Sequence, residues 1–277
     1  MLRGFADLDA VLRDGLSWPA ANVAFAVIDQ QGDEHFAGDC HREFALASVT
    51  KLFTALATLV ACEEGICDLD EPALGVDGAT VRDLLCHAAG LPFEADGPRG
   101  NPRTRRSYSN FGYELLGELV ATRAGFAFGD YLREAVCEPL GMHGARLAGS
   151  PGSAMVANVV EVSRLVRELR HPTLLAPETW RAMITPQYPL LEGVLPGYGR
   201  QRPNPWGLGP EIRGHKEPHW SSHANSPATF GHFGRAGTLV WVDPVANVAL
   251  VALTDREFGT RAKDAWPHLS SDVLDHA

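Results

Sequence analysis

Ser48-Val49-Thr50-Lys51 sets a hydroxyl and an amine three residues apart, and one helical turn brings such positions onto the same face. A serine hydroxyl is a weak nucleophile at neutral pH until a base takes its proton. A lysine whose charge is disfavoured by burial can be that base. If the tetrad opens a helix, the first backbone N–H groups and the positive end of the helix dipole favour an oxyanion at Ser48. The competing reading is a capping serine and a solvated lysine, although the same dipole disfavours a lysine in the first turn.

Two further segments carry chemistry of the same kind. Tyr108-Ser109-Asn110 follows the basic stretch Arg103-Thr104-Arg105-Arg106. A phenol beside an ammonium is drawn toward phenolate and can share the proton work, while the Asn110 amide can orient a carbonyl. Against this, Ser109 or Asn110 can simply cap the helix that follows. Gly231-His232-Phe233-Gly234-Arg235-Ala236-Gly237 leads into a strand, where small residues let a substrate lie against an exposed edge. A backbone N–H near Arg235 would then be a second oxyanion donor. Read plainly, it is a glycine-rich strand entry with an incidental histidine.

The elements that must position these residues are partly legible. Val23 to Asp29 reads as a buried strand, and Gln30 to Asp33 as a turn to a second strand near His35-Phe36-Ala37. Apolar residues recur at three- and four-residue steps from Ser48 to Glu64, with Gly65 placed to end that helix. Val81 to His87, Phe111 to Ala124, Asp130 to Glu138 and Val159 to Leu169 also read as helices, with no alternating strand pattern between residues 69 and 150. Gly193 to Ser226 reads as a long loop. Thr238 to Asp243 and Val248 to Leu253 form a hairpin pattern. The order of strands, helices and strands predicts an α+β fold, an antiparallel β-sheet flanked by helices with an inserted all-helical subdomain. The expected division is a sheet domain of residues 1–68 and 151–277 around a helical part of 69–150.

Composition narrows the partners. The 277 residues carry 24 Lys plus Arg against 34 Asp plus Glu, a net charge of −10 that repels nucleic acid and anionic membranes. The start, Met1 to Asp9, interrupts its apolar residues with charge and lacks the core of an export signal. The run Leu52 to Cys62 is too short to span a bilayer. The 5 cysteines form no C-x-x-C pair, so free thiols in a reducing compartment are expected. A soluble cytoplasmic protein is the expectation. His215, His219, His223 and His232 raise a zinc site, but Pro218 breaks any helix presenting the first three together, and no H-E-x-x-H occurs. No metal or other cofactor is expected. No G-x-S-x-G elbow, phosphate-binding loop or dinucleotide fingerprint is present.

Taken in order, S-x-x-K, Y-x-N and His232-Phe233-Gly234 resemble the serine β-lactamase and penicillin-recognising family, in particular its class C, D-Ala-D-Ala carboxypeptidase and family VIII esterase branches. Glu63 to Pro72, Val81 to Pro92 and Glu138-Pro139-Leu140-Gly141-Met142 extend the likeness over about residues 20 to 255. The resemblance implies an active site between sheet and helical parts. It makes Ser48 the acylated nucleophile, Lys51 and Tyr108 the proton-transfer pair, and Asn110 a substrate-positioning residue. His232 and Gly234 then line the substrate strand, and the Ser48 and Arg235 backbone N–H groups form the oxyanion hole.

Departures from the family pattern bear on substrate. Phe233 stands where β-lactam specialists place Thr or Ser, and His232 replaces a permanent cation, so two groups that hold a β-lactam carboxylate are missing. Ala89 replaces a common serine without an evident consequence. A small ester or amide is therefore the expected substrate, with a β-lactam or D-amino-acid peptide as the alternative. Arg235, Trp206 and Trp220 are expected to shape the pocket. A non-catalytic binding protein on this fold also competes, but it has no need of an activated hydroxyl.

Overall fold

A computed structural model describes residues 8–277; residues 1–7, which carry most of the charged chain start, lie outside the described residues. Helix α1 (Leu8–Gly15) is followed by β1 (Val23–Ile28), β2 (Glu34–Gly38) and β3 (Phe44–Ala45). A 3-10 turn at Ala47–Val49 leads into α2 (Thr50–Glu63). Next come α3 (Val81–Leu85), α4 (Phe111–Ala124) and α5 (Phe128–Leu132), the last continued by a π-type turn at Arg133–Cys137. Strands β4 (Arg146–Leu147) and β5 (Met155–Ala157) precede α6 (Val159–Arg170) and α7 (Pro177–Ile184). Strands β6 (Gly193–Leu195), β7 (Gly199–Gln201), β8 (Glu211–Ile212), β9 (Phe230–Gly234), β10 (Thr238–Asp243) and β11 (Val248–Thr254) lead to α8 (Thr260–His276).

Six strands pair antiparallel in the order β2-β1-β11-β10-β9-β8. Every residue of β1, β10 and β11 is buried, because helices cover both faces of the sheet. Alternation decides which face each residue joins. Phe25, Leu239, Trp241 and Leu250 pack with Leu12 of α1 and Trp266 of α8, whereas Ala26, Val240 and Val251 share a core with α2 and α6. Helix α2 is buried from Thr50 to Ala61. A helix that is apolar on all sides belongs inside, and this one runs between the sheet and the layer that contains α4. The expected α+β architecture is therefore present, and strands β9 and β10 reach the turn that carries Ser48.

Several local expectations need correction. Ser48 does not open the α-helix; it sits on the preceding 3-10 turn, and the α-helical part begins at Thr50. The helix at Val81 stops at Leu85 because His87 has a φ of 58°. The segment expected to be a long loop holds β6, β7 and β8, strands of only 2–3 residues in which no alternation can be read. β4 likewise contributes a two-residue strand inside a stretch read as purely helical. Helix α8 is not legible from the sequence pattern because Pro267 interrupts it. Among the described residues no helix is long and apolar enough to cross a membrane.

Candidate active site

The 3-10 turn that carries Ser48 is held on both sides. Leu46 N–H donates to Met155 O at 2.9 Å, and Met155 N–H donates to Thr50 Oγ1 at 2.9 Å. From the sheet, the Thr238 hydroxyl donates to Leu46 O at 2.8 Å. Gly234, the last residue of β9, lies so close that a Cβ there would stand 2.4 Å from Leu46 O and 2.4 Å from Thr238 Oγ1. Only glycine permits this approach. It places the turn after β9, which begins at Arg235, next to Ser48. Ala47 adopts a φ of 46° immediately before Ser48, a left-handed conformation that costs a Cβ-bearing residue about 1–2 kcal/mol. Such strain is kept where surrounding contacts over-determine it.

Ser48, Tyr108, Trp206, His232 and Arg235 line one cavity of about 280 Å³, with Phe93, Phe233 and Phe258 among its walls. Lys51 lies behind this wall, fully buried. Its Nζ donates to Asn110 Oδ1 at 2.6 Å and to Gly152 O at 2.7 Å, and lies 4.8 Å above the Tyr108 ring and 5.3 Å from that of Tyr113. Burial pulls its pKa down to about 7, against the charges of Glu94 and Glu114, which raise it. A neutral amine has two N–H groups and a lone pair. The two acceptors match the two N–H groups, so the neutral form keeps its lone pair for a proton.

Tyr108 departs from the expected phenolate. Burial pushes its pKa above the ordinary phenol value, outweighing the lowering influence of Ser48, which lines the same cavity. Lys51 faces the ring rather than the oxygen. The Tyr108 oxygen is also 3.5 Å from His232 Nε2. His232 Nδ1 lies 2.7 Å from Phe233 O. A carbonyl can only accept, so Nδ1 carries the hydrogen and Nε2 presents a lone pair toward the phenol. Burial first, then the Lys51 charge, lowers the His232 pKa to about 3. The position therefore carries no cation at neutral pH.

The capping alternative is resolved by division of labour. Ser109 Oγ accepts from Gly112 N–H at 2.9 Å and so caps α4, while Asn110 makes no capping bond and is directed to Lys51. Ser109 N–H in turn donates to Nδ1 of the buried His87 at 3.2 Å. Arg106, read as part of a basic stretch, is 2% exposed. Its guanidinium donates to the carbonyls of Cys86 at 2.6 Å, Gln187 at 2.6 Å, Tyr188 at 3.3 Å and Asn204 at 3.2 Å. Those bonds fix the loop that leads to Tyr108.

Two expected pocket residues lie elsewhere in part. The Arg235 side chain is 83% exposed, 3.8 Å from Glu257, although the residue borders the cavity. Trp220 packs behind Phe233 and donates its indole N–H to Glu211. The histidines are dispersed: His219 Nε2 is 3.0 Å from Glu211, His223 is exposed beside Glu217, and His232 faces Tyr108. Among the described residues no group of three or more His, Cys, Asp or Glu is arranged to hold a metal ion.

Sequence reasoning missed Glu94 and Glu211. Glu94 Oε1 accepts from Asn110 Nδ2 at 3.0 Å, and only its place directly after Pro92-Phe93 hinted at this. Glu211 lines the cavity as a buried carboxylate held at a pKa of about 2 by Lys216 and His219, against the cost of burial. Lys216 Nζ lies 2.5 Å from it and also donates to Pro205 O and Ile212 O, so this cation is spent inside the wall.

Comparison with known proteins identifies relatives in sequence and in fold. The sequence profile of the family described as Beta-lactamase matches residues 41–273. The structure superposes on that of a β-lactamase (Mb2281c) from Mycobacterium bovis with a TM-score of 0.93 and 48% identity, covering 96% of this chain and 98% of that one. Simvastatin synthase (LovD) from Aspergillus terreus shares the fold, with a TM-score of 0.80, 18% identity and coverage of 97% and 95%. Penicillin-binding protein 4* of Bacillus subtilis is 29% identical over 136 residues, 38% of this chain and 30% of that protein. The match thus spans about a third of the curated relative's length.

Proposed function

We propose a function on the premise that this chain belongs to the β-lactamase family, whose members are serine hydrolases: it cleaves a small ester or amide through an acyl-enzyme on Ser48. The observation that carries the reading is the buried Lys51 amine, held by Asn110 Oδ1 and Gly152 O and lying 4.8 Å from the ring of Tyr108, which lines one cavity with Ser48.

In this mechanism the Ser48 oxygen attacks the substrate carbonyl carbon while its proton passes to the Tyr108 and Lys51 pair. The backbone N–H groups of Ser48 and Arg235 hold the oxyanion. Collapse of the tetrahedral species breaks the bond to the leaving alcohol or amine, which takes the proton back. Water then repeats the sequence on the acyl-enzyme and releases the acid.

Lining residues favour an uncharged acyl group. Aromatic walls surround Ser48, His232 is neutral, Phe233 has no hydroxyl to offer, and the Arg235 charge points to solvent. The 48% identity to a protein described as a β-lactamase favours a second reading, hydrolysis of a β-lactam. A panel of short and medium p-nitrophenyl esters, D-amino-acid amides and a chromogenic cephalosporin separates the two, and short esters are expected to lead. A fluorophosphonate probe read by intact mass tests the acyl-enzyme itself. One adduct, abolished in Ser48→Ala, is expected; an unlabelled wild-type protein would leave only the binding-protein reading.

A further inference from the structure

The C-terminal turn of α2 brings two cysteines together. Gly65 takes a φ of 74° and reverses the chain, and the N–H groups of Ile66 and Cys67 both return to Ala61 O, at 2.9 and 3.4 Å. This folds Cys67 back on Cys62 until their sulfurs are 3.2 Å apart. The remaining cysteines have other surroundings: Cys86 and Cys137 are buried, and Cys40 Sγ contacts Gly38 O. Cys62 is partly exposed and adjoins the exposed residues 63–65, so a small molecule in solvent can reach the pair through Cys62, with Cys67 buried behind it.

We propose that Cys62 and Cys67 form a thiol–disulfide exchange site that takes a small-molecule disulfide such as glutathione disulfide and ends as an internal disulfide. One protein thiolate attacks a sulfur of the glutathione disulfide; that S–S bond breaks and one glutathione leaves. The other protein thiolate then attacks the mixed disulfide at the protein sulfur, the Cys62–Cys67 bond forms, and the second glutathione leaves. Two protein thiols are oxidised by two electrons in total, one glutathione disulfide is reduced, and the two protons end on the two glutathione thiols.

The surroundings suit this exchange. One S–H is shared between the two sulfurs, and either can donate it; the bond from Cys62 lowers the Cys67 pKa, burial opposes this, and the Arg123 charge lowers it further while Glu71 and Asp68 raise it. The Arg123 guanidinium is held there by Ile66 O at 3.1 Å and Glu71 Oε2 at 2.8 Å. Closing the bond ties the last turn of the helix that begins beside Ser48 to the segment following it. The site does not depend on the hydrolytic reading.

The test treats folded, reduced protein with glutathione disulfide, quenches in acid and measures intact mass and thiols in denaturant. The expected result is a mass lower by about 2 Da, a thiol count falling from 5 to 3, and recovery with dithiothreitol. The tryptic peptide from Leu52 to Arg82 contains Cys62 and Cys67 and no other cysteine, so the loss must reside there. Neither Cys62→Ser nor Cys67→Ser should lose the 2 Da, and Cys67→Ser should instead retain glutathione on the partly exposed Cys62. Five surviving thiols, a stable glutathione adduct on the wild-type protein, or a 2 Da loss that persists in Cys62→Ser would each overturn the proposal.

Discussion

Lys51 and Asn110, 59 residues apart in the chain, meet through a 2.6 Å hydrogen bond from Nζ to Oδ1. The other end of the same amide donates to Glu94. A surface carboxylate thereby reaches the buried amine through one side chain. Its negative charge favours the ammonium form of Lys51 and raises the pKa that burial lowers.

A pH profile follows with a definite sign. If the neutral amine is the base, kcat/KM on a neutral ester rises about tenfold per pH unit below a midpoint near the Lys51 value of about 7, and is level above it. Glu94→Gln removes a charge that favours the ammonium, so the midpoint should move to lower pH. A midpoint that stays put or rises would separate Glu94 from the base.

Ser48→Ala and Lys51→Ala should each lower kcat by about 10³-fold or more, and the double variant should be little worse than either. Single-turnover kinetics on p-nitrophenyl acetate measures all three. Independent losses that multiply would show that the two residues do not work as a unit.

Tyr108→Phe keeps the ring beneath Lys51 and deletes only the hydroxyl, in the cavity that Tyr108 shares with Ser48. kcat should fall by about 10²-fold with KM nearly unchanged, since general acid–base groups contribute on this scale. A raised KM at constant kcat would instead make the phenol a binding group.

Gly234→Ala tests the contact between β9 and the turn that carries Ser48. The added carbon meets Leu46 O and Thr238 Oγ1 at 2.4 Å, and the first of these is backbone held by the sheet. About 1–3 kcal/mol of destabilisation is expected, read as a lower Tm, together with a drop in kcat as Ser48 is displaced. Unchanged kcat with a lowered Tm would show that the turn absorbs the strain away from Ser48.

Substrate charge gives a further check. An ester with a carboxylate on its acyl group should react about 10²-fold more slowly than its neutral isostere, because His232 is neutral, Glu211 lines the cavity as a carboxylate, and the exposed Arg235 charge lies beside Glu257. His232→Lys should narrow that gap. Equal rates on the wild-type protein would contradict the pocket described.

The parts of this fold that sequence made legible are those with long, consistent patterns. The β1–β2 and β10–β11 hairpins, α2, α4 and α6 bury apolar residues at a regular period, and S-x-x-K, Y-x-N and the β9 glycines mark short stretches of local chemistry. Hidden from it were features made by distant contacts. Phenol acidity at Tyr108 depends on burial by separate loops, the lysine's second acceptor is the carbonyl of Gly152, and Arg106 reads as a surface charge until four carbonyls surround it. The 3-10 turn at Ser48 was illegible because a left-handed alanine leaves no trace in composition.

Arg106 has a consequence for how the entrance can vary. Its guanidinium and backbone fasten the stretches around Cys86, Gln187, Glu192 and Asn204, all inboard of the β6–β7 tip at residues 196–198 that overhangs the cavity. The awning is thus hung from a fixed beam. Tyr198 anchors the inner side of that turn on Phe233 and Phe258, so it is at Pro196, which lines the cavity, that substitution changes which molecules enter while the phenol and amine beneath keep their register.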